Sequence, residues 1–222
     1  MFDTLMEIFT LVTGIAYIIL EIRQKSLMWI VGVVTALAAM YMFFIQGLYA
    51  SLALNAYYFA VSFWGLYQWR RDEAKLSAAD TFPADARKEG SDVIHLNRMG
   101  WGTVAGCAAV FVAGCILLHF VLGYLGDSMT DLDAAVAMMS AVATYMLSRS
   151  YLQQWLLWIV ADALSAVLCA TQGMWWMTAL YVLYTASAAY GYVYWRRRGI
   201  YLEEPRPQDT AGTGAQTTER RQ

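Results

Sequence analysis

Charged residues are scarce in this chain, and their scarcity is the first constraint on its class. Only 14% of the 222 residues are Asp, Glu, Lys or Arg, whereas 59% are hydrophobic. An ordinary soluble domain carries about a quarter charged residues and rather fewer apolar ones. The apolar surplus is too large for one buried core, so the composition excludes an ordinary soluble enzyme and a disordered chain. It predicts an integral membrane protein.

The signatures of several functional classes are absent as well. A formal net charge of -2 does not provide the basic surface typical of nucleic-acid-binding proteins. The three cysteines all lie in apolar stretches and have neither disulfide nor metal-site spacing. The sequence also lacks a phosphate-binding loop, a nucleophile paired with a base, and a cluster of metal ligands. We therefore expect no enzymatic activity, no cofactor, no bound metal and no nucleic-acid partner.

Seven apolar segments are long enough to cross a bilayer as helices. A hydrocarbon core about 30 Å thick requires roughly 17–25 mostly apolar helical residues. Helices suit this environment because each span satisfies its own backbone hydrogen bonds. The sequence therefore predicts an all-α integral membrane protein. The predicted spans are Thr4–Ile22, Leu27–Ile45, Leu48–Trp69, Met99–Tyr124, Leu132–Ser148, Tyr151–Thr171 and Met174–Trp195.

The basic residues outside these spans predict the orientation. All 15 Lys and Arg residues fall on one side of the predicted bilayer. The excess of Lys and Arg in cytoplasmic loops makes that side cytoplasmic, with the N-terminus outside and the C-terminus inside. The polar segment 70–98 is predicted to be a cytoplasmic linker. Residues 199–222, rich in Thr, Gly, Gln and Pro, are predicted to form a disordered cytoplasmic tail.

The sequence also contains an internal repeat. Gly47 matches Gly173 and Trp69 matches Trp195, both at an offset of 126 residues. Nearer the start of each repeat, we align the segment 24–30 with 153–159 at an offset of 129 residues. Each repeat contains three spans, and one further span between them gives both repeats the same orientation. Such parallel repeats form transporters whose site lies at the repeat interface.

The repeat divides the chain into five parts. They are a first three-helix repeat (4–69), the cytoplasmic linker (70–98), a linker transmembrane helix (99–124), a second three-helix repeat (132–198) and the tail (199–222). The predicted architecture is thus three helices, one linker helix and three helices.

Asp162 is the only acid well inside a predicted span. An acid at the bilayer centre costs about 2.5–3.5 kcal/mol on insertion scales, so it marks a cavity or pathway by default. Trp155, Trp158 and Asp162 follow one another at helical spacing and share one face. Two indoles and a carboxylate suit a flat cationic ring, through stacking, cation–π attraction and charge. The alternative is that Asp162 hydrogen-bonds a neighbouring helix.

The third and seventh spans carry a second set of candidates. Their amide, hydroxyl and ring groups recur at helical spacing and can contact a ligand, although helix packing explains any single one equally well. Trp29 joins them because the offset of 129 makes it the counterpart of Trp158. These candidate substrate-binding residues are Asn55, Tyr58, Ser62, Tyr181, Tyr184 and Trp29.

The stretch RSYLQQWLLWIVAD, residues 149–162, resembles the Trp-x-x-Trp-x-x-x-Asn/Asp span of the PnuC nicotinamide riboside transporters. The stretch QGLYASL, residues 46–52, and the later Gly65 and Trp69 are similar to the first repeat of that family. Gly191 followed by Trp195 is similar to its second repeat. The resemblance covers roughly residues 5–198.

This resemblance implies a seven-helix bundle in a bacterial inner membrane, commonly a homotrimer with one pathway per subunit. It implies uptake of nicotinamide riboside by facilitated diffusion, with phosphorylation by a cytoplasmic kinase to retain the substrate. Since Asp162 has no second ionisable partner within the spans, we expect downhill transport without an ion gradient. Asp162 stands where some members have Asn, and Ser62 where some have a larger amide. Thiamine, another flat cation, therefore remains an alternative substrate, and an ion channel of similar repeat design is a more distant one.

Overall fold

The computed structural model describes residues 14–47, 49–78, 94–125 and 131–202. The start of the first predicted span, most of the predicted linker and nearly all of the predicted tail lie outside these ranges. The described ranges contain seven helices and two short strands. They are α1 (helical over 14–22), α2 (Leu27–Gln46), α3 (Tyr49–Ala78), β1 (Ile94–Leu96), α4 (Trp101–Leu125), α5 (Asp131–Ser148), α6 (Gln154–Thr171), α7 (Trp175–Arg198) and β2 (Gly199–Tyr201).

The seven helices coincide in order with the seven predicted spans, although α3 continues past Trp69 to Ala78. By length and composition alone, three of them could cross a membrane: α2, the segment Trp101–Val121 of α4, and α6. The described parts of α3, α5 and α7 carry more polar and aromatic side chains, many of which face the interior of the bundle. Part of their polarity therefore belongs to an internal surface and not to the lipid-facing one.

Two glycine–tryptophan contacts hold the helix pairs of the two repeats together. A Cβ atom added to Gly65 on α3 would lie 2.5 Å from the ring of Trp29 on α2. A Cβ atom added to Gly191 on α7 would likewise lie 2.5 Å from the ring of Trp155 on α6. Glycine at both positions therefore allows an indole to lie directly against the neighbouring helix backbone.

The indole rings correct the alignment of the repeats. Trp29 meets Trp69 edge-to-face at 5.2 Å, and Trp155 meets Trp195 edge-to-face at 5.4 Å. Trp155 is thus the structural counterpart of Trp29, at the same offset of 126 residues that relates Trp69 to Trp195. The alignment of Trp29 with Trp158 was wrong. The segments 24–30 and 153–159 both end in Trp-Ile, and this local similarity favoured an offset of 129 over the offset of 126 that the packing shows.

The turns obey the same offset. Gln24 and Ser150 adopt left-handed backbone conformations, with φ of 50° and 54°, in the turns before α2 and α6. Gly47 and Gly173, with φ of 72° and 74°, occupy the turns after those helices. A left-handed conformation favours glycine, which explains why the glycine pair was visible in the sequence. The Gln24 and Ser150 pair was not, because the two residues differ in type.

The linker helix α4 lies outside the two repeats and packs mainly on α5. None of its residues with described side chains is buried, and Trp101 and Phe120 are 89% and 70% exposed. A helix this apolar and this exposed requires an apolar environment around it. Its composition and position together indicate contact with lipid.

The linker and the tail meet in a small sheet that the sequence did not predict. Strand β1 pairs in parallel with β2, with Ile94 opposite Gly199 and Leu96 opposite Tyr201. The tail was expected to be disordered from Gly199 onward, and for Gly199–Tyr201 this expectation was wrong. Three-residue strands so far apart in the chain carry no periodic signal, so only their pairing identifies them.

We expect Gly191→Ala to destabilise the protein by about 1–3 kcal/mol, because the added methyl group overpacks the interface with Trp155. Trp155 is only 2% exposed, so its rigid ring has little room to move away. Gly106→Ala on α4 is the matched control, since a Cβ atom there meets nothing within 4 Å. Thermal unfolding in detergent, followed by tryptophan fluorescence, measures both. Equal stability of the two variants would contradict this packing.

Candidate functional site

A cavity of about 550 Å³ lies among α1, α2, α3, α5, α6 and α7. Its volume falls within the roughly 300–1,000 Å³ typical of small-molecule sites. Most residues of its wall occur in pairs 126 positions apart, one from each repeat, so the cavity straddles the repeat interface. These pairs are Gly14 and Ser140, Ile18 and Thr144, Glu21 and Leu147, Gly32 and Trp158, Ala36 and Asp162, Ala39 and Ser165, Asn55 and Tyr181, Tyr58 and Tyr184, and Ser62 and Ala188.

The two halves of the cavity wall differ in chemistry where α2 faces α6. Where α6 contributes Trp158 and Asp162, α2 contributes Gly32 and Ala36. The counterpart of Asp162 is thus Ala36, and not Val33 as the offset of 129 implied. A Cβ atom at Gly32 would lie 2.9 Å from the Ser62 hydroxyl oxygen, and Ala36 adds only a methyl group to the wall. The α6 wall thus carries an aromatic ring and a carboxyl group, whereas the α2 wall carries only small side chains. This combination suits a flat ligand that carries positive charge.

Asp162 is 9% exposed and faces this cavity. None of the residues that the structure describes donates a hydrogen bond to its carboxyl group, so no helix–helix hydrogen bond of Asp162 is seen among them. Ser165, one turn further along α6, donates its hydroxyl to the carbonyl of Ala161 at 2.9 Å. The indole nitrogen of Trp158 is also buried without a hydrogen-bond partner. The carboxyl group of Asp162 is therefore available to a ligand, whereas the Trp158 nitrogen lies within the packing.

Helices α3 and α7 bring the polar candidates to the same cavity. Asn55, Tyr58 and Ser62 line it from α3, and Tyr181 and Tyr184 line it from α7. The Ser62 hydroxyl donates to the carbonyl of Tyr58 at 2.8 Å, and the two α7 rings meet edge-to-face at 6.0 Å. These side chains give the wall hydroxyl, amide and ring surfaces of the kind that orient a small polar ligand.

The two remaining tryptophan candidates are placed differently. Trp155 lines one end of the cavity, although its indole is 2% exposed and packs mainly on Gly191 and Trp195. Trp29 is 1% exposed, packs on α3, and is absent from the cavity wall. The structure thus brings the other candidates together around one cavity and leaves Trp29 in the core.

Sequence analysis missed Glu21. This residue lies in the last turn of α1, is 7% exposed and lines the cavity. It falls one residue before the end of the first predicted span, where an acid normally lies at the membrane surface. Its position close to the basic Arg23 and Lys25 concealed its inward orientation. The cavity therefore contains a second carboxyl group besides that of Asp162, which removes the physical basis for expecting no ionisable partner.

Aromatic packing closes one end of the bundle. We name it the arginine-rich end, because Arg70, Arg149 and Arg196 lie there beside the turns. The rings of Trp69 and Trp195, each fully buried, meet at 6.4 Å between the two repeats. With their partners Trp29 and Trp155 they form a cluster of four indoles, two from each repeat. This cluster packs into the core immediately beside the cavity.

A hydrogen-bonded glutamine ties the same end together. Gln24 donates to the carbonyl of His95 at 3.0 Å and to the hydroxyl of Ser150 at 3.1 Å, and it accepts from the His95 backbone nitrogen at 2.7 Å. Gln24 and Ser150 are repeat counterparts, so this contact joins the two repeats where they meet. Burial lowers the pKa of His95 to about 4, despite the opposing effect of Asp72, so the ring is neutral near pH 7.

These features define the class of protein. A helical bundle with an apolar exterior, two parallel three-helix repeats and a polar, aromatic cavity at their interface is the architecture of a membrane transporter. The closed arginine-rich end is consistent with this class, because a transporter must be able to block one side of its pathway.

The chain matches the sequence profile of the family described as "Nicotinamide mononucleotide transporter" over residues 4–197, and it belongs to that family. Curated relatives include the nicotinamide riboside transporter PnuC of Escherichia coli (strain K12), which is 27% identical over 205 residues and covers 85% of each chain. The PnuC of Neisseria mucosa is 27% identical over 195 residues, or 84% of this chain and 70% of its own. The PnuC of Haemophilus influenzae is 24% identical over 199 residues.

A solved structure shows the same fold. The "Crystal structure of the Vitamin B3 transporter PnuC" superposes with a TM-score of 0.64 at 23% identity, over 88% of this chain and 82% of that one. The predicted fold class, a seven-helix membrane bundle of two parallel three-helix repeats joined by one linker helix, is confirmed. The chain is a multi-pass membrane transporter of this family.

Proposed function

We propose that this protein takes up nicotinamide riboside by facilitated diffusion through the cavity between its repeats. Its curated relatives carry the name nicotinamide riboside transporter. The single observation that carries the proposal is the α6 wall, where the indole of Trp158 and the carboxyl group of Asp162 face one cavity. Nicotinamide riboside consists of a flat nicotinamide ring with a single positive charge and a ribosyl group joined to that ring. Stacking and charge attraction recognise such a ring, and the Asn, Tyr and Ser side chains of α3 and α7 suit the sugar.

Thiamine is the second candidate substrate, because Asp162 is suited to any flat cation. The carboxyl group of Asp162 would attract any flat vitamin cation, so the α6 wall alone does not select the sugar-bearing substrate. Thermal stabilisation of the purified protein by nicotinamide riboside, thiamine, riboflavin and deoxynucleosides separates the candidates. A ligand that binds only the folded state raises stability by RT ln(1 + [L]/Kd), so the true substrate gives the largest shift.

The proposal includes an orientation and a place for trapping. The arginine-rich end faces the cytoplasm by the positive-inside rule, with the N-terminus outside, in a bacterial inner membrane. A cytoplasmic kinase then phosphorylates the substrate, and the added charge prevents its return. The segments 4–69, 99–124 and 132–198 act as the first repeat, the linker helix and the second repeat, and three copies of the chain form a homotrimer. An ion channel of similar repeat design would instead give single-channel conductance without vitamin flux.

We expect transport to be downhill. Proteoliposomes loaded with buffer should equilibrate labelled nicotinamide riboside at the same rate whether or not a proton or Na⁺ gradient is imposed. The presence of both Glu21 and Asp162 in the cavity makes this measurement decisive, because two carboxyl groups could carry a coupling ion. Accumulation of substrate above the external concentration only under an imposed gradient would contradict facilitated diffusion.

We expect Asp162→Asn to weaken binding of the cationic substrate by about tenfold or more, an effect of at least about 1.4 kcal/mol. The substitution keeps the size and hydrogen-bonding capacity but removes the charge, which acts more strongly in a partly desolvated cavity than in water. Trp158→Phe should also weaken binding, since a smaller ring offers less stacking surface. Titration with nicotinamide riboside and with a neutral isostere measures both effects.

The control for this experiment is Asp131→Asn, since the Asp131 side chain is 82% exposed and lies outside the cavity. It should leave the affinity for both ligands unchanged. The charge assignment predicts that Asp162→Asn affects the cation much more than the neutral isostere. An equal loss of affinity for both ligands, or no loss for either, would contradict that assignment.

Cross-linking the arginine-rich end should block transport. Gln24 and Ser150 join the two repeats by a direct hydrogen bond, so a cysteine at each position places two thiols across the repeat interface. In a background lacking the three native cysteines, a short bifunctional reagent should stop uptake, and cleavage of its linker should restore it. Single-cysteine variants treated in the same way should remain active. Full uptake by protein with verified cross-links would refute opening at this end.

A further inference from the structure

Glu21 is a buried carboxyl group that neither the packing nor the proposed recognition of the cationic ring uses. Its side chain is 7% exposed, and its Oε1 atom has no hydrogen-bond partner. The structure shows no ion pair for it among the described residues. Taking an unpaired carboxyl group out of water is costly, so a buried acceptor of this kind calls for a partner. Because Glu21 lines the cavity, the partner it can reach there is a ligand.

The repeat symmetry shows that the bundle does not need an acid at this position. The counterpart of Glu21 in the second repeat is Leu147 on α5, which lines the cavity from the opposite side. Leu147 is 1% exposed and belongs to the buried core. An apolar side chain therefore satisfies the packing at the equivalent place. The carboxyl group of Glu21 therefore breaks the symmetry of the wall from the first repeat, whereas the carboxyl group of Asp162 breaks it from the second repeat.

The two carboxyl groups lie at different depths. Glu21 is in the last turn of α1, next to the turn at the arginine-rich end. Asp162 lies eight residues after Gln154, the first residue of α6, and therefore about two helical turns deeper. They belong to different repeats, and both line the same cavity of about 550 Å³. A single elongated ligand can therefore contact both, with one end at Asp162 and the other toward Glu21.

We propose that Glu21 binds the substrate by accepting hydrogen bonds from neutral O–H or N–H groups at the end opposite the cationic ring. This inference rests on the proposed function and extends it. A ligand with one positive charge satisfies only one of the two carboxylates by charge, and Asp162 lies beside Trp158 where the ring stacks. The Glu21 carboxyl group, which is buried and whose Oε1 atom has no hydrogen-bond partner, then requires neutral donors.

Two substrate chemistries supply these donors. The ribosyl group of nicotinamide riboside presents adjacent hydroxyls, and the aminopyrimidine of thiamine presents an amino group. Both are joined to a flat cation, so the shared requirement is a cationic ring with a donor-bearing group at its far end. Each has a truncated analogue that keeps the cation and lacks this group. These analogues are 1-methylnicotinamide and a 3,4-dimethyl-5-(2-hydroxyethyl)thiazolium cation.

The experiment compares binding of each complete substrate with binding of its truncated analogue, by calorimetric titration of the purified full chain. We expect Glu21→Gln to weaken binding of the complete substrate by about tenfold, since an NH2 donor replaces one acceptor oxygen and cannot accept a hydrogen bond from the substrate. Its affinity for the truncated cation should stay within twofold of the parent, whereas Asp162→Asn weakens both ligands. Whichever complete substrate shows the loss identifies the source of the donors.

Two further variants control for stability and for charge in general. Glu21→Leu copies the side chain that its repeat counterpart already carries, so it should remain folded and lose affinity for the complete substrate at least as strongly as Glu21→Gln. Glu73→Gln on α3 removes a carboxyl group whose hydrogen bond to Ser26 is exposed and which lies outside the cavity. It should bind every ligand as the parent does.

Three results would overturn the inference. Parent-like affinity of both Glu21 variants for the complete substrate would show that Glu21 makes no contact with it. Equal losses for the complete and truncated ligands would assign Glu21 to the cation and not to neutral donors. A parent protein that binds neither nicotinamide riboside nor thiamine would refute the proposed function, and this inference with it. The first two results leave the proposed function standing, so the two failures are distinguishable.

Discussion

The contact of an indole with a helix backbone, made possible by glycine, is the interaction on which this bundle depends. Gly65 and Gly191 allow Trp29 and Trp155 to lie flat against α3 and α7. Lipid is as apolar as a leucine side chain, so burial alone does not drive helices together within a membrane, and close packing has to do so. Each indole then contacts a second one at the arginine-rich end. The two repeats meet through Trp69 and Trp195.

This packing separates the lipid-facing surface from the cavity. The helix pairs present apolar residues outward, and the exposed linker helix α4 adds to that exterior. The polar side chains of α3, α5 and α7 that line the cavity, such as Asn55, Ser140 and Tyr181, are directed inward. The pairwise wall of the cavity follows directly from the repeat, because equivalent helices place equivalent positions at the interface. The proposed recognition rests on the departures from symmetry, since the second repeat has Asp162 and Trp158 where the first has Ala36 and Gly32.

The cavity and the closed end are close neighbours, and Trp155 belongs to both. One edge of its indole forms part of the cavity wall, and the ring also packs on Gly191 and Trp195. A ligand that contacts the wall at this end therefore lies one side chain away from the contact between the repeats. The same aromatic ring therefore contacts both the cavity and the packing at the arginine-rich end. Gln24 adds a second link, since its amide binds both the linker strand and Ser150.

Composition and periodicity by themselves determined the membrane class, the seven helices and the existence of a repeat. Long apolar runs and the matches of Gly47 with Gly173 and of Trp69 with Trp195 are local signals, and lipid leaves few other ways to satisfy the backbone. The sequence also placed Asp162 and its tryptophans on one face, because helical spacing is fixed by geometry.

Only the tertiary structure decided the register of the repeat, the role of Trp29 and the position of Glu21. The sequence does not distinguish a tryptophan that packs on a glycine from one that faces a cavity. An acid near the end of a span reads as a surface residue until the neighbouring helices enclose it. No pattern in the sequence predicts the pairing of β1 with β2 either. Each of these depends on contacts between residues far apart in the chain, and local pattern carries no information about them.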